Sequence, residues 1–222
     1  MLKIDFFMAL NLNDQSAPLS FKEFYGQNIE QMPLLISDGR VPLSTAHLME
    51  RRLNSTQTAE WRDNYFDTGD SIVYHPDGKF KIVHNALFLR EIKSNSKPAR
   101  VRGALVLDGT LVLENGMYEP LDAPEFSRKD NGLILNKHMK PAQIKAHPIW
   151  QHLARDNALL SSYVDVMSPE MKKRFGYDET MGVYVASTSL RPIARALFVD
   201  GLGYGSLLLG GCDLDDDCGR LV

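Results

Sequence analysis

The sequence predicts an α+β protein. Its mainly antiparallel sheet is built on a β-meander and packed by a long helix in the C-terminal half and short N-terminal helices. Three observations carry this expectation. Asp108-Gly109 and Asn115-Gly116 stand between apolar runs about seven residues apart, and such pairs supply the positive φ that tight hairpin turns need. After Pro148, apolar residues recur at three- and four-residue intervals as far as Met167, the spacing of one helix face. Strand-like and helix-like segments do not alternate regularly, which argues against a doubly wound parallel sheet.

The elements follow in order. Residues 3–12 suggest an opening strand. Ser20-Phe21-Lys22-Glu23 has the form of a capping box, flanked by Leu19 and Phe24 as a staple. It predicts a helix over 21–31 ended by Pro33. Pro42 and Ser44 open a second helix over 45–53, with Leu48, Met49 and Leu53 inward and Arg51-Arg52 facing out. Thr56–Tyr65 is expected to be a third, short helix anchored by Trp61. Asp67–Asp70 is expected as a turn into the hairpin Ser71–His75, Pro76-Asp77-Gly78, Lys79–Val83.

Ala86–Ile92 fits strand and helix alike, because short apolar runs cannot be assigned by period. The meander then occupies Val101–Leu107, Thr110–Glu114 and Met117–Leu121, with a further short strand at Leu133–Leu135. On the long helix from Pro148, the stripe is Ile149, Leu153, Asn157, Leu160, Val164 and Met167, with Trp150 and Tyr163 beside it. Ser168-Pro169 starts a short basic helix that stops at Gly176. Met181–Ser187 and Ile193–Val199 are strand-like, and residues 219–222 suggest a last strand. A single domain over 1–222 is expected, with 94–98 and 122–132 as the points where it could subdivide.

The chain has 222 residues, ample for a core. Its net charge of −3 and pI near 6.1 demand neither nucleic acid nor acidic lipid as a partner. No run approaches the roughly 20 apolar residues of a membrane span, and no signal peptide is apparent. The two cysteines, Cys212 and Cys218, are too few for a disulfide scaffold. They point to a reduced, cytoplasmic setting and could pair across the turn between them.

Thr68-Gly69-Asp70 followed by Asp77-Gly78 resembles the TGD…DG element of adenylate-forming enzymes, in which the aspartate holds the nucleotide ribose. The resemblance covers about a dozen residues. No Gly-Arg pair follows it and no Ser/Thr/Gly-rich phosphate loop accompanies it, and a turn-strand-turn-strand unit gives the same letters. Gly201-Leu-Gly203-Tyr-Gly205 has the look of a phosphate cradle, but no helix opening follows.

Asp213, Asp215 and Asp217 alternate, and carboxylates so placed can offer hard oxygen ligands to Ca²⁺ or Mg²⁺. The EF-hand glycine would have to stand where Cys218 does. His152 and Asp156 fall at i, i+4 on the expected helix, the arrangement of a carboxylate-oriented base or ligand. His147 lies about 140° around from His152 and faces elsewhere. The segment 90–102 carries five basic residues against one Glu, a candidate phosphate-binding face.

No catalytic constellation stands out. The favoured reading is a non-catalytic protein that binds a protein partner or associates with itself. One alternative is a divalent-metal-dependent hydrolase using Asp213, Asp215 and Asp217 with His152 and Asp156. The other is a nucleic-acid-binding accessory protein using residues 90–102.

Overall fold

Every residue of the nine-residue strand Phe66–Tyr74 is buried, so both faces of the sheet it centres must be covered. The computed structural model describes residues 10–13, 21–92, 100–101, 104–107, 110–113, 116–187, 190–215 and 219–222. The first half contains β1 (Phe24–Tyr25), α1 (Asn28–Ser37), α2 (Thr45–Asn54), α3 (Thr58–Asp63), β2 (Phe66–Tyr74), β3 (Lys79–Val83), α4 (Leu87–Arg90), β4 (Arg100–Val101), β5 (Ala104–Leu107) and β6 (Thr110–Leu113). The second half contains β7 (Glu125–Ser127), α5 (Pro141–Ala146), α6 (Pro148–Ala154), α7 (Asn157–Phe175), β8 (Val183–Tyr184), β9 (Ile193–Val199), β10 (Leu208–Leu209) and β11 (Arg220–Leu221). No helix among the described residues is long and apolar enough to cross a membrane.

The main sheet runs β4-β5-β6-β9-β2-β3-β7, with β10 against the C-terminal end of β9 and β8 parallel to β10. The other pairs are antiparallel, and a separate pair joins β1 to β11 through Phe24↔Leu221. Alternation along β2 sends Ile72 and Tyr74 into a layer with Leu48, Trp61, Trp150 and Val164 from α2, α3, α6 and α7. Val73 points the other way, to Met32, Leu35, Phe88 and Leu89 of α1 and α4. The expected α+β architecture is present.

Local signals decide several elements. Ser44 caps α2, its hydroxyl accepting from His47 N at 3.3 Å. Trp61 is fully buried, and its indole donates to Leu12 O. The β2–β3 hairpin turns at Gly78, whose φ is +92°, and Leu107↔Thr110 closes the β5–β6 hairpin. Ala86–Ile92 resolves into the short helix α4. Residues 220–221 form the expected last strand, paired within the chain.

Other expectations fail for identifiable reasons. The helix expected over 21–31 is displaced to 28–37 and contains Pro33. Gly26, at φ +135°, turns the chain out of β1 first, and Glu23 accepts from Leu10 N instead of capping a helix. Ser20 and residues 3–9 of the expected opening strand lie outside the described residues. Met117–Leu121 is no third meander strand. The far edge of β6 is taken by β9 (Leu111↔Ala194), while the carbonyls of Tyr118, Glu119 and Leu121 wrap the buried Lys81 ammonium at 3.0–3.1 Å.

Leu133–Leu135 is likewise not a strand; β7 forms earlier and extends the sheet beside β3. Of the two points of subdivision, 122–132 therefore contains a sheet strand, and 94–98 lies outside the described residues. The long helix breaks at Arg155, φ 62°, into α6 and α7. Past that break Asn157 is exposed, whereas Ile149, Leu153, Leu160, Val164 and Met167 are buried as expected. No separate basic helix follows, because Pro169 sits within α7, which runs to a left-handed cap at Gly176.

The glycine-rich run at 201–205 is a 3₁₀ turn, not a phosphate cradle. A Cβ on Gly201 would press on the carbonyl oxygen of Asp63, with the carbonyl carbon 2.7 Å away. Both neighbours are backbone and cannot swing aside. Gly201→Ala is therefore expected to lower unfolding stability by about 2 kcal/mol or more, measured by urea denaturation. A change under about 0.5 kcal/mol would show that the turn is free to move.

Candidate functional site

Two buried polar centres and two open cavities are candidates for function, and the buried centres are fully engaged in the fold. Arg52, expected to face solvent, is completely buried. Its Nε donates to Trp61 O at 2.9 Å, Nη1 to Tyr163 Oη and Ser206 Oγ at 3.0 Å each, and Nη2 to Asn64 O at 2.9 Å and Asp200 O at 2.8 Å. All five guanidinium hydrogens are used. None of these acceptors is a carboxylate.

Asp70, the aspartate of the Thr68-Gly69-Asp70 run, is also fully buried. It lies in β2 rather than in a turn, within the register shift between Asp67 and Ser71. Oδ2 accepts from Thr45 N at 2.8 Å, at the N-terminus of α2, where a carboxylate is favoured. Oδ1 accepts from Asn85 N at 3.1 Å. His84 Nδ1 and Arg155 Nη2 stand 3.5 and 3.6 Å from Oδ1, ion-pair distances too long for good hydrogen bonds. Burial pushes the Asp70 carboxyl up, but His84 and the amides of Thr45 and Asn85 outweigh it and hold the group below its ordinary value. The adenylate-type role would need this carboxylate open to a ribose, and it is enclosed and occupied.

His152 stacks on His84, ring centroids 4.1 Å apart, and its Nε2 bonds Ile82 O at 3.1 Å. Burial, and then the neighbouring His84, lower its pKa. Asp156 is not its partner: the break at Arg155 puts the two residues on different helices, and Asp156 caps α7 by accepting from Ala158 N at 2.8 Å. His147 is buried against Ile134 O. Asp213 pairs with Arg195 at 2.5 Å, Asp215 is exposed, and Asp217 and Cys218 lie outside the described residues. No group of three or more His, Cys, Asp or Glu among the described residues is arranged to hold a metal ion. Most of the basic segment 90–102 is outside the described residues too.

The larger cavity, about 490 Å³, opens beside α2. Val41, Pro42, Leu43 and Val222 give it an apolar floor, and Arg40, His47, Glu50 and Arg51 rim it, with Phe21 at one end. Arg51 lies over the Phe21 ring, 5.3 Å from its centroid, and Arg40 pairs with Asp38 at 2.8 Å. Val41 is 56% exposed. No sequence motif could announce this groove, since its residues come from four separate stretches of chain. A smaller cavity of about 170 Å³ lies where α1, β2, β9 and the approach to β11 meet.

Asp70 yields a direct test. A depressed carboxyl stabilises the fold at pH values above the ordinary Asp value of 3.8, and that contribution is lost as pH falls through its folded pKa. Asp70→Ala should cost about 2–4 kcal/mol at pH 7, with the gap to wild type narrowing in acid. A gap that stayed constant down to pH 3 would contradict this assignment.

No family model matches the chain, and no curated protein matches it. Its fold is similar to that of a solved structure described as "Accommodation of massive sequence variation in Nanoarchaeota by the C-type lectin fold", at 16% identity and a TM-score of 0.63. The match covers 90% of this chain and 94% of that one. At that identity the likeness is one of fold: helices packed on a mostly antiparallel sheet, in the manner of a C-type lectin fold.

Proposed function

We propose that this protein acts by binding a protein partner, not by catalysis, and that the groove beside α2 receives a segment of that partner. One observation carries the reading: an apolar floor stands open beneath an arginine-bearing rim. Arg40, His47, Glu50 and Arg51 form that rim, and Arg40 is already paired with Asp38. Arg51 makes no ion pair among the described residues, so its charge is available to a carboxylate. The complementary segment presents an apolar side chain to Val41 and Leu43 and an acidic residue to Arg51.

The fold supports the same reading. The similar solved structure is described in terms of massive sequence variation accommodated by the C-type lectin fold. Here the polar groups best suited to chemistry, Asp70 and Arg52, are held in buried bonds, while the groove lies at the surface.

Selection of a displayed random-peptide library on the immobilised protein tests this. Peptides with an acidic residue beside an apolar one should be enriched, and Val41→Asp with Arg51→Glu should weaken them at least ten-fold, about 1.4 kcal/mol. Enrichment that survives both substitutions would overturn the reading. A dimer in sedimentation that these substitutions dissolve would assign the groove to a second copy of the chain instead.

A further inference from the structure

We propose that the smaller cavity is a second binding site, for a ligand with an ammonium group next to a carbonyl, as in an amino-acid amide or the first residue of a peptide. The cavity of about 170 Å³ has room for about one residue. Phe198 and Leu209 form its apolar wall, and Asp67, Asp200 and Asp213 bring carboxylates to it.

Asn28 supplies the independent observation. It is the first residue of α1 and lines the cavity, yet it is only 3% exposed. Neither its Oδ1 nor its Nδ2 has a hydrogen-bond partner among the described residues. A buried amide without partners is costly and rare. One acceptor and one donor side by side match a ligand that offers an N–H and a carbonyl oxygen together. The ammonium gives a hydrogen to Oδ1, and the carbonyl takes one from Nδ2.

Asp200 sets the preference for a cation. Its carboxylate makes no hydrogen bond or ion pair among the described residues, because Arg52 takes its backbone oxygen rather than its side chain. Burial pushes the carboxyl up to about 6, with Arg52 opposing only in part. Around it, Asp67 accepts from Arg220 N and Asp213 pairs with Arg195, and Cys212 completes the wall. An ammonium beside Asp200 compensates a half-buried charge that no side chain among the described residues neutralises. A free carboxylate on the ligand would meet three aspartates, which selects an amide over a free amino acid.

Titration calorimetry with L-leucinamide, N-acetyl-L-leucinamide and Leu-Gly-Gly tests the proposal. At pH 7 the two amines should bind saturably, and acetylation should weaken binding at least ten-fold. Binding should strengthen as pH rises from 5 to 7 and Asp200 ionises. Asp200→Asn should weaken binding by about ten-fold or more. This variant removes a carboxylate whose ionisation is penalised, so its fold is at least as stable as wild type at neutral pH, and lost binding cannot be blamed on unfolding. Binding of both amines assigns a peptide N-terminus, and binding of leucinamide alone assigns a free amino amide; each supports the site. No saturable binding by either amine, equal binding of the acetylated form, or unchanged binding by Asp200→Asn would overturn it.

Discussion

A single buried guanidinium ties the helical layer to the loops at the end of the sheet. Arg52 reaches from α2 to the C-terminus of α3, the carbonyl that leads into β2, the middle of α7 and the segment that follows β9. Those elements approach from different directions, and each presents a carbonyl or hydroxyl that Arg52 satisfies. Only a planar side chain with five hydrogens can serve them together. The close seat of Gly201 on Asp63 is a consequence: the loop after β9 is drawn onto the end of α3, and no side chain fits between.

The same logic governs the other buried charges. Asp70 holds the start of α2, Lys81 gathers the carbonyls of a loop that lacks a strand partner, and Arg220 links β11 to Glu23 at 2.7 Å and to Asn64. Each joins a loop or turn to a regular element, which is what a sheet with two covered faces and short strands requires. The polar groups with the most reactive appearance are therefore the ones most committed to structure. The surfaces left over are the open groove beside α2 and the small acidic cavity at the end of β9, where the proposed binding would take place.

Much of this fold is legible in the residues. Ser44 announces its helix, Asp77-Gly78 its turn, and Ile193–Val199 its strand, because each rests on local chemistry. The failures are non-local. Nothing near Met117 says that β9 will claim the edge of β6. Nothing near Arg52 says that its polar side chain faces five carbonyls and hydroxyls instead of water. The His152–Asp156 pairing rests on one continuous helix, and a single left-handed residue, Arg155, undoes it. The cavities are invisible in the sequence for a related reason: Asn28 and Asp200 come to line one cavity only after the chain has folded, and their significance is that neither side chain has a hydrogen-bond partner among the described residues.

The most direct test is the unfolding free energy of Arg52→Lys. Lysine keeps the charge and most of the length but offers three hydrogens from one point, so at least two of the five acceptors lose their donor. The structure predicts a loss of about 3 kcal/mol or more by chemical denaturation at pH 7. A loss below about 0.5 kcal/mol would mean that those acceptors are satisfied otherwise, and that Arg52 is not what holds the helices to the sheet.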